Sequence, residues 1–216
     1  MTMPYMFDAV ICFDLDDTLY KEIDFVKSAY SEIAKKVGHP EAAQQLLDWY
    51  NEKKNAFAEL INAYGLDVSI GEYLQIYHNH YPNITLDAGV KEFLEDLKEK
   101  GAKLGLITDG RSVSQRNKIK ALELEGTFDK VIISEEFGSE KPDLRNYQAV
   151  MDEFPERKYF IYVGDNPAKD FIAPNKLGWD TYCLKQNKRN IHEQVFSGPK
   201  ENMPHHIVTT IQEIIQ

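Results

Sequence analysis

Short apolar runs of strand length alternate along this chain with longer stretches in which apolar residues recur every three or four positions. Runs of the first kind suit strands buried on both faces and stretches of the second kind suit amphipathic helices, so their alternation predicts an α/β fold with a Rossmann-like parallel sheet and helices on both faces. The runs place strands at Ala9–Asp14, Lys103–Ile107, Lys130–Ile133, Tyr159–Val163 and Thr181–Leu184, with a short edge at His206–Val208. Helical spacing covers Asp87–Lys100, Ser112–Leu124, Asn146–Glu153 and Pro167–Leu177. Gly101, Gly126 and Gly178 follow three of these helices, where a C-terminal glycine is expected.

The rhythm breaks once. Between Tyr20 and Leu86 no strand pattern occurs, and DFVKSAYSEIAKKVG, a long stretch from Pro40 to Gly65 and IGEYLQIYHNHY all carry helical spacing. The chain therefore reads as a core domain, residues 1–19 and 87–216, interrupted by an all-helical insert at 20–86. An insert that enters directly after the first strand predicts a cap over the carboxyl edge of the sheet. Its aromatic residues, among them Phe25, Tyr30, Trp49, Tyr50, Phe57, Tyr64, Tyr73 and Tyr77, are read as the core of that cap, with Lys21, Glu22 and Lys53 as candidates to face a substrate. Residues 187–204 are polar and turn-rich and read as a surface loop.

Composition narrows the class. Hydrophobic residues make up 43% and charged residues 28% of the 216, values that suit a compact domain and argue against a disordered or fibrous chain. The formal charge is 25 − 35 = −10, with basic residues dispersed among acidic ones, which argues against a nucleic-acid or anionic-membrane partner. Cys12 and Cys183 each lie inside an apolar run and read as buried thiols, not as a disulfide. No apolar run approaches the length of a membrane span, and the first residues, MTMPYMFDAV, lack the basic and long apolar stretches of a secretory leader, so a cytoplasmic monomer is expected.

Ligands of open parallel sheets gather outside the carboxyl ends of the strands. The first predicted strand runs into Asp14-Leu15-Asp16-Asp17-Thr18, the second into Thr108-Asp109-Gly110 and the fourth into Gly164-Asp165-Asn166. Ser139-Glu140-Lys141-Pro142-Asp143 lies on the loop that follows the third. Each residue alone is more readily a turn former than a catalyst, and Thr18 alone reads as a helix N-cap. Their joint placement reverses that ordering. DLDDT matches D-x-D-x-T, a threonine follows an apolar strand, a lysine precedes proline, and GDNPAKD matches G-D-x-x-x-x-D. In this order the four segments resemble motifs I to IV of the haloacid dehalogenase-like superfamily, over Asp14 to Asp170.

The resemblance implies a Mg²⁺-dependent phosphatase acting on a small phosphate ester, a sugar phosphate being one class. It implies a metal held by the Asp14 and Asp165 side chains and the Asp16 backbone carbonyl, with Asp170 supporting from behind. Asp14 would be the nucleophile, and Asp16, two residues on, the acid and then the base, provided that its neighbours raise its pKa. Thr108, backbone N–H groups around Asp109 and Gly110, and the Lys141 ammonium would hold the phosphoryl oxygens. Thr18 would brace the loop, Arg111 would touch the substrate, and Asp17 would be structural. The helical insert is similar to the type 1 cap of phosphoglycolate phosphatases and sialic acid 9-phosphate phosphatase. Asp16 disfavours a dehalogenase, whose halide leaving group needs no acid. A phosphomutase and a catalytically silent binding module remain alternatives. The pairs His78/His80 and His205/His206 are read as surface or packing residues; His78 and His80, two apart on a helix, do not share a face.

Overall fold

A computed structural model describes residues 8–215. Residues 1–7, which open the expected core segment and carry the start of the stretch read as lacking a leader, lie outside the described residues, as does Gln216. The strands are β1 (Ala9–Phe13), β2 (Lys103–Thr108), β3 (Lys130–Ile133), β4 (Tyr159–Gly164), β5 (Asp180–Leu184) and β6 (His206–Val208). They form one sheet ordered β3-β2-β1-β4-β5-β6, parallel at every pairing. Helices α1 (Glu22–Val37), α2 (Ala42–Asn51), α3 (Ala56–Tyr64) and α4 (Ile70–Asn79) lie between β1 and the rest of the core. The core helices are α5 (Val90–Glu99), α6 (Ser112–Ala121), α7 (Ser134–Phe137), α8 (Leu144–Glu153) and α9 (Ile172–Lys176).

β1 is central and buried at every position, which is why its sequence AVICF carries no polar residue. Because side chains alternate across a strand, its residues divide between two cores. Ala9, Ile11 and Phe13 pack with Phe93, Leu94 and Leu97 of α5 and Ile119 of α6. Val10 and Cys12 pack on the other face with Tyr147 and Val150 of α8 and with Phe171 and Trp179. The strand order reverses beside β1, so the carboxyl ends of β1, β2 and β4 border the crevice where such sheets bind ligands.

The helical insert has a third core of its own, built from Val26, Tyr30, Ile33, Leu46, Leu60 and Tyr73, with Trp49, Tyr50, Phe57, Tyr64 and Tyr77 packed against it. The stretch from Pro40 to Gly65, continuous in its spacing, is two helices. Glu52-Lys53-Lys54 offers no apolar residue to carry the stripe on, Lys53 adopts a left-handed φ of 58°, and the Asn55 side chain accepts from Ala58 N–H to start α3. Where the insert leaves and rejoins the core, Asp87 N–H donates to the Leu19 carbonyl at 3.0 Å. Among the described residues no helix is long and apolar enough to cross a membrane.

Candidate active site

Asp14 follows β1 directly, and its N–H donates to the Val163 carbonyl at 2.8 Å, which continues the β1–β4 pairing by one residue and brings the carboxylate out at the sheet's edge. Lys141 arrives from the loop after α7, where its backbone N–H donates to Asp109 Oδ1 at 3.0 Å. Its ammonium lies 2.7 Å from Asp14 Oδ1, 2.8 Å from Asp170 Oδ1 and 3.1 Å from the Tyr162 hydroxyl. Asp14, Asp165 and Asp170, all buried, each place a carboxylate oxygen in one group whose members lie within 4.8 Å of one another. Gly164 makes room for this group, since a Cβ there would stand 2.9 Å from Asp170 Cγ.

Burial pushes Asp14 up to about 7, with Asp170 adding to the rise and Lys141 opposing it. Burial likewise pushes Asp165 up to about 8, helped by Asp170 and Asp14. Burial alone would lower the Lys141 ammonium, but Asp14 and Asp170 outweigh it and hold that group well above its ordinary value. So many buried carboxylates around so little positive charge fit a small divalent cation with oxygen ligands. Asp170 is already engaged at both oxygens, by Lys141 and by the Asn166 N–H at 2.9 Å, and it anchors the lysine and the loop after β4.

Asp16 faces away from this group. Its Oδ1 accepts from the Tyr20 hydroxyl and pairs with Lys118 Nζ at 2.7 Å, while Oδ2 accepts from Gln115 Nε2 at 3.2 Å. Burial raises its pKa, but the charge and hydrogen bond of Lys118, with the bonds from Tyr20 and Gln115, prevail and hold it below the ordinary carboxylate value. The expectation that its neighbours raise it is therefore corrected, because the nearest partner is a cation. The Asp16 side chain is thus engaged at both oxygens by Tyr20, Lys118 and Gln115.

Other expected residues take the following places. Asp17 has φ 58° and a carboxylate that accepts from Glu22 N–H and Ile191 N–H, so Asp17, and not Thr18, satisfies the start of α1. The Thr18 hydroxyl is buried without a hydrogen-bond partner among the described residues. Thr108 is buried at the end of β2 and donates to Gln115 Oε1 at 3.3 Å. The Asp109 carboxylate faces the Lys141 N–H and, at 2.7 Å, Lys169 Nζ. Gly110 has φ 142° and donates its N–H to Ser134 Oγ of α7 at 2.9 Å. Arg111 sits exposed at the N-cap of α6.

Several residues around the site escaped the sequence reading. Lys169 lies inside GDNPAKD, within one of the unspecified positions of that motif. Gln115 and Lys118, with Ser114, form the inward row of α6, and a polar row where an apolar one is expected was the available signal. The segment 187–194, read as surface loop, folds back onto the site. Asn190 Nδ2 donates to Asp165 Oδ2 at 3.3 Å, Gln194 Nε2 donates to the Asp165 carbonyl at 2.6 Å, and Arg189 pairs with Asp24 on α1. Ile191 packs against the core of the insert.

Sheet order, crevice and a buried lysine among carboxylates define a Rossmann-like α/β enzyme with a buried acidic centre. The chain belongs to the haloacid dehalogenase-like hydrolase family, whose sequence profile matches residues 11–184. It is 30% identical to the glyceraldehyde 3-phosphate phosphatase of Methanocaldococcus jannaschii, over 95% of this chain and 94% of that one. The enzyme of the same name from Pyrococcus abyssi is also 30% identical, over 83% and 82%. In fold it is similar to magnesium-bound YfnB of Bacillus subtilis, with a TM-score of 0.69 at 19% identity over 95% and 96% of the two chains. It is likewise similar to a HAD phosphatase of Thermococcus onnurineus, with a TM-score of 0.61 at 21% identity over 95% of each. The chain is a phosphatase of this family.

Proposed function

We propose that the protein hydrolyses the phosphate monoester of a small hydroxylated metabolite, a triose phosphate or another sugar phosphate, with Mg²⁺ and through an aspartyl-phosphate at Asp14. One observation carries this reading: the Lys141 ammonium spans Asp14 and Asp170 within a group of three buried carboxylates that lie within 4.8 Å of one another. The names of the relatives support a triose phosphate as the substrate class.

A phosphate dianion is repelled by a bare carboxylate, so the attack needs positive charge on the phosphoryl oxygens. The Asp14 and Asp165 side chains and the Asp16 carbonyl would hold Mg²⁺, which would supply part of that charge. Lys141 supplies the rest and opposes the rise that burial imposes on the Asp14 pKa, and Asp109 fixes Lys141 through its backbone N–H. An Asp14 oxygen attacks phosphorus as the bond from phosphorus to the ester oxygen breaks, and the proton for the departing alkoxide comes from Asp16. Water then attacks the aspartyl-phosphate, gives its proton back to Asp16, and phosphate leaves as the bond to Asp14 breaks. Asp16 is held ionised before substrate arrives, which prepares the second half; the first requires a proton to reach it with the substrate. The helical insert acts as the cap, placing the residues around Tyr20 and Phe25 over Asp16.

Phosphate release measured over a panel of phosphorylated metabolites, with Mg²⁺ or with EDTA, tests the reading. Triose and sugar phosphates should be turned over with Mg²⁺, and Asp14→Asn should lower kcat by about 10³-fold or more. Turnover indifferent to EDTA, or no ester hydrolysed at all, would contradict it.

A further inference from the structure

Lys118 lies on α6, outside the four motif segments, and its side chain is only 4% exposed. A buried ammonium is costly unless its charge is met at close range, and here it is met by Asp16 Oδ1 at 2.7 Å. The same ammonium lies 4.3 Å from the centroid of the Phe25 ring on α1 and 5.9 Å from that of Tyr20, so a residue of the insert covers it from the far side. Its neighbours on the inward row of α6 have related tasks. Gln115 donates to Asp16 Oδ2 and to the Asp109 carbonyl, and Ser114 donates to the His78 carbonyl at the end of α4 at 2.7 Å. One helix thus grips both oxygens of Asp16 and, one turn away, the insert itself.

An aspartate has two side-chain torsions, and donors at both oxygens fix them. Lys118 and Tyr20 hold Oδ1 and Gln115 holds Oδ2, while Asp14 is held separately by Lys141. We propose that Lys118 is a positioning residue of the phosphatase reaction, holding the Asp16 carboxylate on the leaving-group side of the phosphoryl site in a grip that Phe25 of the cap completes. This inference rests on the reading of Asp16 as the acid and base.

The test compares two esters by kcat/KM, which reports events only as far as the phosphorylation of Asp14. Glyceraldehyde 3-phosphate leaves as an alkoxide that needs a proton; p-nitrophenyl phosphate leaves as a phenolate that needs little help. For Lys118→Met, kcat/KM on the first should fall by about 100-fold and on the second by less than about 5-fold. Lys118→Arg should recover most of the loss. A merely structural role would lower both esters together. If Lys118→Met does not melt cooperatively, Lys118→Gln, of similar length and uncharged, is read in the same way. Asp16→Asn is measured alongside. Without selective loss in Asp16→Asn, the reading of Asp16 falls and the role of Lys118 with it. With selective loss in Asp16→Asn and equal loss or none in Lys118→Met, the role of Lys118 alone is overturned.

Discussion

Asp14, Asp165 and Lys141 set one another's charge at the carboxyl edge of β1 and β4. Asp14 is raised by burial from 3.8 to about 7 and Asp165 to about 8. A carboxyl raised on folding stays protonated where the unfolded chain is already ionised, so the unfolded state binds fewer protons and stability falls as pH rises from 3.8 toward the folded value. A divalent cation favours the ionised forms and opposes that loss. We therefore expect the melting temperature of EDTA-treated protein to decline between about pH 5 and about pH 8, and the increase produced by Mg²⁺ to grow over the same interval. Asp165→Asn should remove most of that increase. An increase that is independent of pH would contradict this account of the site. At this scale, Asp14 and Asp165 were legible because they follow strand ends directly, and Lys141 and Asp170 because they complete the spaced motifs that come after. Lys118 and Gln115 were not, since a polar row on a helix gains its meaning only from Asp16, which lies about a hundred positions earlier in the chain.

Among the elements, the segment 187–194 shows the limit of polarity as a guide. Polar, turn-rich sequence reads the same whether it faces water or faces other buried polar groups. Here Asn190 links Asp165 to Lys21, whose ammonium lies 3.2 Å from Asn190 Oδ1 and 3.3 Å from Asp87 Oδ2, so the segment joins the acidic centre to both crossings of the insert. Groups that orient a metal's ligands commonly contribute to affinity without touching the ion. Asn190→Ala should therefore raise the Mg²⁺ concentration needed for half-maximal turnover by about 10-fold, with little change in kcat at saturation. An unchanged Mg²⁺ dependence would show that the segment covers the site without orienting Asp165. Helix boundaries carried a related ambiguity. Helical spacing resumes after Asn55 in register with that before Asn51, and the polar stretch between them, with the cap at Asn55 and the left-handed Lys53, divides α2 from α3.

For the whole molecule, the parallel sheet was legible because strands buried on both faces have to be apolar at successive positions, and β1, the most uniformly apolar, is the central one. The insert was legible from the loss of the strand rhythm. Its point of entry after β1 gave the expectation of a cap over the carboxyl edge, but the contacts between distant segments that hold it were not legible: Ser114 with the His78 carbonyl, Asn117 with the Asn79 and His80 carbonyls, Arg189 with Asp24. Such contacts tie the helical layer to α6 and to the segment 187–194, and Phe25 of that layer lies against Lys118, the partner of Asp16. The most direct test is to quench the Mg²⁺-loaded enzyme during turnover of its best sugar phosphate, reduce with borohydride, and sequence the peptide that spans β1 by mass spectrometry. An aspartyl-phosphate is reduced to homoserine, so the account predicts homoserine at position 14 only when substrate is present. An unmodified Asp14 under conditions of demonstrated turnover, or modification at another carboxylate, would contradict it.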